Sequence, residues 1–178
     1  MKYAIRAGLL ILIGILTYFT IKSVMDPIRY AEEVEQKESK IIEKLKVLRD
    51  GQMAYKDENG KFANNLDTLL NFMEYGEMKM LIETGDKDDS TTVYRVEEQF
   101  VSVKESMFAD VDIPNLKYVP GKDTLQFEIA ARVIKKNNVQ VPVFEIKDPE
   151  PFSKERQKKH DPLRVGSISD VNYNGNWD

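Results

Sequence analysis

Residues 7–21 read AGLLILIGILTYFTI, fifteen in a row without a charge. Lys2 and Arg6 precede the run, Lys22 follows it, and no acidic residue occurs before Asp26. Counted from Tyr3 to Met25 the apolar stretch is 23 residues. At about 1.5 Å per residue that crosses roughly 30 Å of hydrocarbon. Lys22 can snorkel to the head groups, and Tyr18 and Phe19 fall near one boundary, where aromatic rings are favoured. Lipid offers the backbone no hydrogen bonds, so such a segment is expected as a helix. The side chains that would anchor it are Leu9, Leu10, Ile11, Leu12, Ile13, Ile15, Leu16 and Phe19.

A cleaved secretory signal is the competing reading. It needs small residues at its cleavage site. Here the run leads into Lys22, Ser23, Val24, Met25 and Asp26. Without cysteine there is no lipobox. The expectation is therefore an uncleaved anchor over residues 7–25, with residues 1–6 as a cytoplasmic tail. Lys2 and Arg6 favour a cytoplasmic N-terminus. The protein is then a single-pass inner-membrane protein with its C-terminal domain in the periplasm of a Gram-negative cell.

With three of its 26 basic residues near the N-terminus, the rest of the chain carries 23 against 30 acidic ones, a net of −7. Bulk charge of that sign disfavours nucleic acid and anionic lipid as partners of the domain. The absence of cysteine removes disulfides, thiol nucleophiles and cysteine metal sites.

After the span, Asp26 and Pro27 suit an N-cap and first helical position. A charged stalk helix is expected over residues 26–56. Val34, Ile41, Leu45 and Leu48 follow one another at seven, four and three residues and form one stripe. Glu38 and Gln52 interrupt it, so it is too short and too broken for a self-sufficient coiled coil. Two readings stand side by side. Ile41, Leu45 and Leu48 pack on the protein's own sheet, or the proximal residues Ile28, Val34 and Ile41 face another subunit.

Asn59-Gly60 is a helix stop. Asn64 or Asn65 can cap a second, amphipathic helix bearing Leu66, Leu69, Leu70, Phe72 and Met73, ended by Gly76. The next segment reads as a short helix or strand closed by Gly85. DKDDSTT, residues 86–92, is a polar loop without the ligand order of a calcium-binding EF-hand. From residue 90 the periodicity becomes that of strands. Leu125, Phe127, Ile129 and Ala131 alternate with Gln126, Glu128, Ala130 and Arg132. KKNN, residues 135–138, joins them as a hairpin to Val139, Val141, Val143 and Ile146, and Pro142 suggests an edge or bulge. Pro120-Gly121 marks a further turn. The fold class is α+β: a membrane helix continuing into a stalk, then a small helix and antiparallel-sheet domain of three to five strands over residues 57–148. Residues 149–178 form a C-terminal tail that is either loose or pinned by Trp177.

Gln52, Tyr55, Gly60-Lys61-Phe62, Leu66 and Leu69, placed after a membrane helix, resemble the pilin and pseudopilin pattern over about 70 residues. That resemblance implies a filament subunit. The chain departs from it in having no acid within its span, where prepilins carry a glutamate five residues into the mature helix. The whole chain, with VGSISDVNYNGNW near its end, also resembles single-pass envelope proteins of Bacteroidota, which brings no activity with it.

No chemistry is spelled out. His160 is the sole histidine, in a charged segment before Pro162. There is no nucleophile elbow and no phosphate-binding glycine loop. The sequence therefore reads as non-enzymatic, with no cofactor, no metal and no nucleic acid. Its expected partners are other inner-membrane or periplasmic subunits, or further copies of itself, in an envelope complex for secretion, motility or ion-driven motion. The other readings are a pseudopilin-like filament subunit and a periplasmic ligand-binding module.

Overall fold

The computed structural model describes residues 1–84, 95–122 and 124–177. The chain divides into two units, residues 1–39 and residues 40–178. Helix α1, Lys2–Asn59, contributes to both.

Residues 1–39 belong to α1 from Lys2 onward. Among the described residues of this unit none is buried, and only Tyr30, Val34, Lys37 and Glu38 are partly covered. The apolar stretch is long and hydrophobic enough to cross a membrane, with a mean hydropathy of 1.9 over its best 18 residues. Thr20 returns its hydroxyl to the Leu16 carbonyl at 2.8 Å, so its polar group is satisfied within the helix. Helix α1 does not begin at Asp26. It runs through Pro27, so the expected N-cap is absent. Proline removes one backbone bond, but a helix already formed upstream tolerates that loss where nucleating a new one would be costly.

Residues 40–178 enclose their own core. Ile41, Leu45 and Leu48 of α1 are buried in it. Gly60, at φ +71°, ends α1, and its N–H bonds the Lys56 carbonyl at 2.7 Å. Helix α2, Leu66–Tyr75, is capped by Asn65, whose side chain accepts from the Asp67 N–H at 2.7 Å. Its 3.6-residue stripe, Leu66, Leu69, Leu70 and Met73, is buried. Gly51 of α1 makes room for it, because a Cβ there would lie 2.6 Å from the Met73 sulfur.

The strands form two separate sheets rather than one. Strands β1, Glu77–Thr84, and β2, Arg95–Ser102, pair antiparallel. The polar loop at residues 86–92 and Gly85 lie outside the described residues. The Lys79 N–H donates to the Glu58 carboxylate at 2.8 Å, so it points away from β2. The run expected to continue as strand past residue 102 instead becomes helix α3, Val103–Met107. Ser102 caps it, accepting from the Glu105 N–H at 3.4 Å. Val103 is thereby turned into the core. Segment 113–117 is a 3-10 turn, and an isolated bridge joins Tyr118 and Gln126 beyond it.

The second sheet has the order β3–β4–β5, all antiparallel, from Glu128–Lys136, Val139–Lys147 and Arg164–Gly166. Asn137 and Asn138 both take positive φ, 51° and 66°, as a two-residue primed hairpin turn requires. Strand β4 is central, which contradicts the edge position expected from Pro142. The proline is tolerated because β5 reaches only Glu145, Ile146 and Lys147. Pairs alternate outward from the turn-flanking Lys136↔Val139, so Val133↔Pro142 is a non-hydrogen-bonded pair. No ladder bond needs the missing N–H, and the Pro142 carbonyl accepts from the Tyr173 hydroxyl at 2.9 Å.

The C-terminal segment is not a loose tail. Leu163 and Val165 are core residues, and Tyr173 and Trp177 pack against the core. Between Pro149 and Leu163 lies the short helix α4, Lys154–Lys159.

Candidate functional site

The anchor residues Leu9, Leu10, Ile11, Leu12, Ile13, Ile15, Leu16 and Phe19 are all between 48% and 70% exposed. They lie on every side of α1, as lipid-facing residues would and as a soluble amphipathic helix would not.

The three residues expected to face a partner do not share one environment. Ile28 is exposed and Val34 is partly covered. Ile41 is 3% exposed and belongs to the core of residues 40–178. It is not available to another subunit, so for Ile41 the expectation of a partner is corrected: the stripe turns inward there.

The residues of the helix–turn–helix segment meet in one lock. Gln52, fully buried, is not a defect in a heptad. Its Nε2 donates to the Ala63 carbonyl at 2.8 Å and its Oε1 accepts from the Ala63 N–H at 2.9 Å. An amide side chain matches a backbone peptide group for group, which a carboxylate or an amine does not. Tyr55 packs edge-on against Phe72 at 5.2 Å. Phe62 lies 4.7 Å from Phe144 and 5.4 Å from Tyr173. In the sequence Gln52 interrupts a stripe and opens the pilin-like pattern, but its partner lies across a turn that no periodicity predicts.

Next to this lock is a half-open groove of about 230 Å³, lined by Tyr55, Lys61, Phe62 and Asn64 on one side and by Ala131, Arg132 and Val133 of β3 on the other. Strand β3 is the edge of its sheet. The alternation set by Lys136↔Val139 directs the N–H and C=O groups of Ile129, Ala131, Val133 and Lys135 outward. Among the described residues, two cations and no acid line the groove. The Arg132 Nε is held by the Ile168 carbonyl. Lys61 makes no ion pair among the described residues.

A second, wider groove of about 420 Å³ lies between Lys122, Glu150, Arg156 and His160. Lys122 is engaged there by the Glu150 carboxylate at 3.0 Å. His160 is exposed and adopts the left-handed cap of α4, φ 52°, a structural position. Among the described residues no group of three side chains is placed to hold a metal ion. On the β1–β2 ribbon, Met80, Leu81, Ile82 and Phe100 are exposed, and Tyr75 lies exposed at the end of α2.

Lys104, paired with Glu74, is held above the usual lysine range by that hydrogen bond. Lys44 donates to the Asn115 and Tyr118 carbonyls at 2.5 and 2.8 Å, while desolvation moves it below that range. Both tie α1, α2 and α3 to the segments beside them, and neither lines the β3 groove.

Compared with known protein families, with curated proteins and with solved structures, the chain matches none.

Proposed function

We propose that the protein is a non-enzymatic assembly subunit of an envelope complex, held in the inner membrane by residues 7–25 with residues 40–178 on the periplasmic side. The observation that carries this reading is the pairing of a bare apolar helix with a domain that has its own closed core. An anchor with no covered face needs lipid or another helix around it. Lys2 and Arg6 support the orientation. Exposed Ile28 and the exposed apolar residues of the β1–β2 ribbon are surfaces suited to neighbouring subunits.

The test is purification of the full-length protein in mild detergent, with intact masses measured for everything that co-elutes. Protease protection of inside-out vesicles reports the orientation. Stable, stoichiometric co-elution with defined membrane or periplasmic proteins is the expected result. A monomer free of partners in several detergents overturns the assembly reading. Release of the protein from membranes by alkaline carbonate overturns the anchor.

A pilin-like filament subunit is the second reading. It is favoured by the gathering of Gln52, Tyr55, Phe62, Leu66 and Leu69 around one turn. The intact mass separates the two. A chain that keeps Met1 is an unprocessed anchor, whereas a filament subunit of this type loses its leader.

A further inference from the structure

We propose that the edge of β3 is a docking site for an extended acidic peptide segment, which adds to the sheet as a fourth strand in the groove beside the α1–α2 turn. The edge is supplied by Ala131 and Val133, whose N–H and C=O groups point outward beside Lys61 and Phe62. Unpaired strand edges template another strand, and strand addition is a recurring mode of peptide capture.

The charge of the occupant follows from the register. Arg132 gives its backbone groups to β4, so toward an added strand it stands in a non-hydrogen-bonded pair. Side chains approach most closely at such pairs, and opposite charges there are favourable. Lys61 adds a second positive charge from the opposite wall, and none of the described lining residues is acidic. On the other face of the strand, Ala131 and Val133 offer apolar neighbours. An incoming strand therefore places a carboxylate against Arg132 and apolar side chains on the alternate face. A cavity of about 230 Å³ is smaller than the roughly 300–1,000 Å³ of small-molecule sites, which argues for a strand running through rather than a ligand enclosed. The proposal does not require the membrane or assembly reading and can fail independently of it.

The probes are two labelled octapeptides, one alternating valine with glutamate and the other valine with lysine, titrated into the full-length protein in detergent. The glutamate peptide should bind at least tenfold more tightly, and the amides of Ala131 and Val133 should gain protection from hydrogen exchange. Val133→Pro removes an outward N–H that β4 does not use, and should weaken binding tenfold or more, equivalent to about 1.4 kcal/mol. The double charge reversal Lys61→Glu with Arg132→Glu should invert the preference, a gain of lysine-peptide binding that misfolding cannot mimic. Equal binding of the two peptides overturns the proposal, as does full binding by a folded Val133→Pro protein. So does an edge occupied by a second copy, seen as a dimer that Val133→Pro converts to monomer.

Discussion

Replacing Gln52 by leucine keeps the size of the side chain but deserts both polar groups of Ala63. Each buried backbone group left without a partner costs about 1–3 kcal/mol, so the pair costs about 2–6 kcal/mol. An apolar side chain at a fully buried position returns at most ~2 kcal/mol of that. With that return taken in full, the net loss is about 0–4 kcal/mol, centred at ~2. For a domain of this size each kcal/mol lowers the midpoint by roughly 3–5 °C, so at that centre thermal unfolding should move down by roughly 6–10 °C. Gln52→Glu is the sharper variant. A carboxylate can accept from the Ala63 N–H but repels its carbonyl, whereas a carboxylic acid both accepts and donates. The folded state then favours the protonated acid, which raises its pKa above that of the unfolded chain. Folding binds a proton across that interval, so stability is greatest below the ordinary glutamate range and is lost as pH rises through the raised value. Melting curves of wild type, Gln52→Leu and Gln52→Glu between pH 4 and pH 8 check this. A glutamate variant as stable as wild type at pH 8, or one whose deficit against wild type is the same at both ends, would refute the two-bond clamp.

Ile41→Asp should cost 4 kcal/mol or more by placing an unpaired charge in the core, and should abolish a cooperative melt of residues 40–178. Ile28→Asp with Val34→Asp, outside that core, should leave the same melt within 1–2 °C, and any loss of a co-purifying partner then belongs to those two positions. Asp170 accepts from Lys136 at 2.6 Å and from the Val171 N–H at 2.7 Å, and these hold its carboxyl below the usual aspartate range. Its contribution is present above that range and is lost as pH falls through the lowered value. A carbon-detected titration should show this, and Lys136→Met should return Asp170 most of the way to an ordinary titration.

What was legible in the sequence was what neighbouring residues decide among themselves. The stripe Leu66, Leu69, Leu70, Met73 declares α2, Asn59-Gly60 ends α1, and Asn137-Asn138 turns β3 into β4, each through backbone preferences within a few positions. What failed depended on distant partners. Pro27 looked like a helix start because its effect on a helix arriving from upstream has no local mark. Pro142 looked like an edge signal, and only the short reach of β5 explains its place in a central strand. The strand periodicity expected from residue 90 onward stops at Val103, the first residue of a helix, because Ser102 caps it and the core takes its side chain. The C-terminal segment is rich in proline and polar turns, and its order comes from Leu163, Val165 and Trp177 meeting a core built far away in sequence. The groove beside β3 had no sequence signal of its own. It arises where the turn at Lys61–Asn64 passes the open side of a strand 70 residues later.

The bond from the Lys79 N–H to Glu58 has a consequence for how copies of the protein behave when crowded. Strand β1 carries Met78, Met80, Leu81 and Ile82, the composition of a segment that readily recruits its own kind. The Glu58 carboxylate occupies one of the outward donors such recruitment would use, and brings a negative charge that a second β1 would have to desolvate. The guard is electrostatic, so it is strongest at low salt. Replacing Glu58 by alanine releases the donor and removes the repulsion together. Colloidal stability should therefore fall in Glu58→Ala before the core itself gives way, with aggregates that begin at β1 while Leu45, Leu48 and Phe144 are still packed.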